Sequence, residues 1–96
     1  MKNIIIEASI NHVQEHYNRV CRSTIPAVWI VRCENLDELL PGNWEYGEYG
    51  EYGYVTDGHG SHRSLYAEGW TKEEAIEGFK KSAKGMFPGG GKIRFV

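Results

Sequence analysis

Apolar and polar positions alternate with different periods along this chain, and each period implies an element. Residues 2–8 carry three successive isoleucines and favour a strand, because β-branched side chains suit a pleated, half-buried surface; a helix beginning earlier would also place Ile6 on an apolar stripe. From Ser9, an N-cap candidate, Ile10, Val13, Tyr17 and Val20 recur at spacings of three, four and three, which predicts a helix ending near Arg22. Arg19 and Arg22 suit the negative end of its dipole, and the residue before Pro26 avoids helical angles. Residues 27–31 form an unbroken apolar run between Pro26 and Arg32, the pattern of a central strand covered on both faces. Residues 35–40 read as one or two helical turns, capped by Asn35 and stopped at Pro41 and Gly42.

The next stretch breaks these rules. Glu-Tyr-Gly occurs three times in succession, at residues 45–47, 48–50 and 51–53, with Trp44 before it and Tyr54 after. A period of three matches neither a strand nor a helix, so regular structure there is doubtful on pattern alone. If the segment is extended, Tyr46, Tyr49 and Tyr52 point to alternate faces, while Tyr52 and Tyr54 share one. Asp57-Gly58 is a turn pair, and a returning strand is predicted over 62–68.

Thr71 with Glu74 three positions on forms a capping box, and Ile76, Phe79, Ala83 and Met86 make the apolar stripe of a second helix. Acids in its first half and Lys80, Lys81 and Lys84 in its second agree with the helix dipole. Gly85 and Pro88 end it, and 92–96 alternate as an edge strand. The expected fold is a single α+β domain over 1–96: an antiparallel sheet of three to five strands with two amphipathic helices on one face, in the order (β)αβββαβ.

Charge changes this picture more than length does. The net charge is −2, yet residues 34–57 hold seven acidic residues and no lysine or arginine, leaving eleven basic against six acidic residues elsewhere. Such segregation produces a directional field that biases partner encounter. Two cysteines, Cys21 and Cys33, are too few for a disulfide framework and read as reduced thiols. The start carries no secretory hydrophobic region and no run approaches a membrane span, so a cytoplasmic protein without a membrane role is expected.

Several constellations bear on chemistry. His12, Glu15 and His16 match His-x-x-Glu-His, which on a helix sets two imidazoles one turn apart beside a carboxylate base and would serve a zinc hydrolase. The competing explanation places both histidines on the flank of an amphipathic helix. His59 and His62 fit a solvated hairpin tip, Cys21 and Cys33 fit core packing, and 88–92 lacks the Gly-Lys-Ser/Thr ending of a phosphate cradle. No cofactor, metal or catalytic residue is predicted.

Lys80, Lys81, Ser82, Ala83 and Lys84 resemble part of the second-helix signature of double-stranded RNA-binding domains, whose order is also helix, three strands, helix. Here Lys72 stands alone at the helix start and the acidic stretch repels phosphate, so direct nucleic-acid binding is not the main expectation. Gly53-Tyr54-Val55 with residues 67–75 is similar to the hairpin and helix opening of HicB-type antitoxins, which carry Gly-x-Thr-x-x-Glu-Ala. That resemblance implies a regulatory module binding a small toxin.

The acidic, tyrosine-rich stretch supports either a solvated loop or a docking surface. Tyrosine supplies contact area at small entropic cost, and carboxylates attract basic partners over long range. Small cytosolic proteins with acidic faces resemble in type the anti-defence proteins of phages and mobile elements, anti-CRISPR proteins among them. The expectation is a non-enzymatic inhibitor that mimics nucleic acid and occupies the basic groove of a nucleic-acid-handling partner. Its contacts would be Trp44, Glu45, Tyr46, Glu48, Tyr49, Glu51, Tyr52 and Asp57, and a homodimer is compatible with this pattern.

Overall fold

The computed structural model describes residues 4–96 and is mostly sheet. The expectations for Lys2 and Asn3 lie outside the described residues. Strand β1 (Ile5–Val13) pairs antiparallel with β4 (Val28–Cys33), from Ala8 opposite Cys33 to Val13 opposite Val28. The short strands β2 (His16–Asn18) and β3 (Ser23–Ile25) pair with His16 opposite Ile25, which continues the same register outward. One long hairpin therefore runs from Ile5 to Cys33, interrupted near Pro26, which has no N–H to donate.

The predicted helix from Ser9 to Arg22 is not formed, and this is the main correction to the sequence reading. The 3.6-residue stripe competes with a two-residue alternation in which Ile6, Ala8, Ile10 and His12 share one face. Pairing with the apolar run of β4 decides the contest in favour of the strand. The distal half of the hairpin projects as an arm, with Tyr17 exposed and Val20 94% exposed. At its tip the Asn18 side chain accepts the N–H groups of Val20 and Cys21, and Arg22 adopts φ 54 to complete the turn. The arm lengthens the molecule: its radius of gyration is 14.5 Å, against about 12.5 Å for a compact chain of this size.

The main sheet has the order β8-β4-β1-β9, with β8 (Tyr66–Gly69) antiparallel to β4 and β9 (Lys92–Phe95) parallel to β1. The sheet is thus mixed, not antiparallel as expected. The parallel edge follows from the crossover: α2 (Lys72–Met86) carries the chain from one edge strand to the other. The helix starts as predicted, with Thr71 Oγ1 accepting the Glu74 N–H at 3.1 Å. Gly69 is required beneath this start, because a Cβ there would lie 2.7 Å from Ala75 N. Phe79, Ala75 and Ala83 of the helix join Ile6, Ala8, Val31 and Cys33 of the sheet in the core.

The one or two helical turns predicted over 35–40 form as a single turn, α1 (Leu36–Leu39). Asn35 stands at its start but does not cap it through its side chain. The amide instead accepts the Glu7 N–H at 3.0 Å and donates to the Ile5 carbonyl at 2.9 Å, extending the pairing of β1. Of the two amphipathic helices expected on one face, only α2 forms, because the first is replaced by strands β1 and β2. The strand predicted over 62–68 divides at Ser64 and Leu65 into β7 (His62–Arg63) and β8, which belong to different sheets. Leu65 is buried at the division, and its carbonyl accepts the Cys33 N–H at 2.9 Å. No helix among the described residues is long and apolar enough to cross a membrane.

Candidate functional site

The Glu-Tyr-Gly repeats form a regular hairpin. Strand β5 (Glu45–Tyr49) pairs with β6 (Tyr52–Thr56), and β7 adds a third strand beside β6. Gly50, at φ 60, takes the first central position of the two-residue turn, where hairpins favour glycine. Regular structure is possible despite the odd period because tyrosine and glycine complement each other across the strands. A Cβ on Gly53 would sit 2.6 Å from the Tyr46 hydroxyl, and one on Gly47 would sit 2.6 Å from the Tyr54 ring. Each ring lies over the other strand's glycine.

The pairing register divides the predicted contact residues between two faces. Tyr46, Glu48, Gly53 and Val55 share the inward face. Tyr46 donates its hydroxyl to the Cys33 carbonyl, and burial pushes its phenol up to about 12. Glu48 is held by Arg32 at 2.9 Å; the same guanidinium bonds Glu34 at 2.8 Å, and Glu34 also accepts the Ser9 hydroxyl at 2.5 Å. The contact with Glu34 raises the Arg32 pKa further above its ordinary value, and Arg32 in turn holds the Glu34 carboxyl below the usual carboxylate range.

On the opposite face lie Glu45, Gly47, Tyr49, Tyr52, Tyr54 and Thr56. Tyr52 curls back onto the main sheet: its hydroxyl donates to Glu68 at 2.6 Å and its ring packs on Tyr66 at 4.5 Å between centroids. Burial, followed by the bond to Glu68, pushes the Tyr52 phenol up to about 12. Trp44 is half-buried against the core and donates Nε1–H to the Pro41 carbonyl at 2.9 Å. Asp57 organises the next loop by accepting the His59 and Ser61 N–H groups, and the His59 contact leads in lowering its pKa. Glu45, Tyr49 and Glu51 are left pointing at solvent, with Tyr49 79% exposed. Among the described residues, neither Glu45 nor Glu51 forms an ion pair.

Two further residues extend the exposed side. Tyr54 and His62 stand 5.4 Å apart between ring centroids, and with Tyr49, Arg63 and Ser64 they line a shallow depression of about 360 Å³. Tyr54 had a visible signal, since it shares a strand face with Tyr52. His62 had none, because its neighbour is set by pairing of β6 with β7.

His12, Glu15 and His16 do not acquire the geometry of a helical metal motif, because they lie on and between strands. His12 packs on Trp29 at 4.5 Å between ring centroids and bonds the Gln14 side chain, while His16 bonds the Gln14 carbonyl. Among the described residues, no group of three or more His, Cys, Asp or Glu side chains is placed to hold a metal ion. Cys33 is buried and its thiol is pushed up to about 11 by that burial, the reverse of an activated nucleophile; Cys21 is exposed at the arm. Absence of the first predicted helix also removes the helix, three strands, helix order that accompanied the likeness of residues 80–84 to double-stranded RNA-binding domains. Comparison with protein-family models, curated proteins and solved structures gave no match to this chain.

Proposed function

We propose that this chain is a non-enzymatic binding protein that docks its β5–β6 hairpin into a basic groove of a nucleic-acid-handling partner, as an inhibitor of the anti-CRISPR or anti-defence type acting in the cytoplasm. The observation that carries the reading is Tyr49, nearly free of its own protein at the end of a paired hairpin, with the exposed carboxylate of Glu51 in the adjoining turn and that of Glu45 at the far end of the same strand face. A rigid aromatic anchor beside carboxylates suits a surface built for phosphate: the ring supplies contact area and the acids supply attraction and orientation. Tyr46, Glu48 and Tyr52 tie the hairpin to the main sheet through Cys33, Arg32 and Glu68, so the proposed contact set centres on Glu45, Tyr49, Glu51 and Tyr54.

The test is calorimetric titration of the protein into an RNA-guided nuclease complex lacking target DNA, at low and high salt. Saturable binding should weaken with salt, and by about tenfold or more in Glu45→Lys/Glu51→Lys and in Tyr49→Ala. No binding, or binding indifferent to salt and to both variants, rejects the reading.

A second reading, a HicB-like module that binds a small toxin, draws support from the helix opening. Gly69, Thr71, Glu74 and Ala75 each have a physical part in the junction of β8 with α2, as that likeness implies. Co-purification with a small toxin, unaffected by the hairpin variants, would favour it over the first.

A further inference from the structure

Four strands at about 4.8 Å spacing make a sheet roughly 19 Å wide, whereas a helix with its side chains covers about 10 Å. One helix therefore cannot protect all four strands: Ile6 and Ala8 of β1 are still buried, and the strip left open is the β9 edge. Helix α2 lies over β8 and β4, and beside it, towards β9, runs an open groove of about 590 Å³. Its floor includes Ile6, Ile93 and Phe95, and Phe95 remains 43% exposed although the register places it on the same face as buried Ala8. Its wall is the flank of α2 that carries Lys80, Lys81 and Lys84, with Glu77 as the one acidic side chain in the lining. Glu77 lies 3.9 Å from Lys80 in an exposed pair, too loose to neutralise three lysines.

We propose that this groove is the docking site for an acidic amphipathic helix of a partner protein, lying beside α2 and completing the second layer of the sheet. An apolar stripe would cover Ile93 and Phe95, and carboxylates along one flank would meet Lys80, Lys81 and Lys84. The chemistry favours a helix: an apolar floor at the β9 edge beside a wall of lysines matches the two faces of an amphipathic segment. The chain's own acidic residues do not fill this part, because those of residues 45–51 are fixed in a hairpin. This surface is separate from the β5–β6 hairpin and does not depend on the function proposed for it.

A fluorescent peptide of about four turns provides the probe, with leucines at i, i+3, i+4 and i+7 and glutamates along one flank. Anisotropy should show saturable one-to-one binding, and amide shifts in an NMR titration should map to α2 and β9. Lys80→Glu/Lys81→Glu/Lys84→Glu should weaken binding by about tenfold or more, and Phe95→Ser should weaken it at least several-fold. The lysines are exposed, so folding of the charge variant can be verified by its circular dichroism. Glu45→Lys/Glu51→Lys should leave peptide binding unchanged. Absence of saturable binding, equal binding of a scrambled peptide, or indifference to both groove variants would overturn the proposal. So would a dimer in solution whose interface protects β9, since a second copy would then be the occupant.

Discussion

The Arg32 guanidinium of the central strand and the Glu48 carboxylate of the hairpin meet at 2.9 Å, joining two different sheets. Arg32 is the inner partner, with its side chain only 13% exposed, while Glu48 is largely solvated. Loss of the two members should therefore be unequal. Arg32→Met removes charge-assisted bonds to Glu34 and Glu48 together and should cost about 2 kcal/mol, whereas Glu48→Gln should cost less than about 1 kcal/mol. Denaturant unfolding with unchanged m-values would check the order. Acid should act on the same cluster: Glu34 is depressed in the folded state, so its contribution is full above its unfolded value and fades as pH falls through its folded value. The acid loss of stability should be shallower in Arg32→Met.

The crossed tyrosines and glycines of the hairpin give a ranked pair of substitutions. Gly53→Ala drives a methyl group into the inward Tyr46 ring, whose hydroxyl is tied to the Cys33 carbonyl, and should cost about 2–3 kcal/mol. Gly47→Ala meets Tyr54 on the solvent side, where the ring can swing aside, and should cost about 1 kcal/mol or less. Thermal unfolding would show the difference as a Tm loss at least twice as large for Gly53→Ala.

Alkali should reveal the two engaged phenols. Tyr46 and Tyr52 are each pushed up to about 12 from an ordinary value of 10.0, so the folded state favours their neutral forms. Their stabilising contribution is complete below pH 10 and disappears as pH rises through about 12. Tyrosinate absorbance should show a late phase coupled to unfolding. Tyr52→Phe should reduce its amplitude, and Glu68→Gln should advance the ionisation of Tyr52.

The thiols should separate by access. Cys21 on the arm should react with a thiol reagent in the native protein within the mixing time, whereas Cys33, buried and accepted by Asn35, should react only as the protein opens. Mass spectrometry of the labelled native protein should find one modification. Rapid native labelling of Cys33 would contradict its place in the core.

The parts of the fold legible in the sequence were those fixed by local chemistry. The cap of α2 at Thr71, its apolar stripe and the central strand, expected over 27–31 and found at Val28–Cys33, needed no knowledge of distant residues. The arm was illegible for the opposite reason: Ile10, Val13, Tyr17 and Val20 have helical spacing, and only pairing of Ile10, Val13 and Tyr17 with Val31, Val28 and Thr24 of the returning chain overrides it. Asn35 followed the same logic, because a side chain expected to cap a helix found stronger demand from the backbone of β1. In the candidate site, the concentration of acid and tyrosine was visible, but its division into inward supports and outward contacts depended on the hairpin register. Arg32 as the hub of Glu34 and Glu48 had no signal, since its partners are brought together by the fold.

Three chemically identical triplets have become unlike one another in the folded chain: one supplies an anchoring ring, one a solvent-facing ring and the turn glycine, and one the second turn residue and the start of the return strand. Parity therefore governs how this hairpin can grow or shrink. One triplet inserted within a strand turns the neighbouring side chains inside out, and inserted at the turn it merely enlarges the loop. One triplet in each strand keeps the opposing residues aligned but still inverts those beyond it, whereas two in each strand restore the original orientation and lengthen the ribbon. Drift in copy number should accordingly be accommodated at the bend or in even steps.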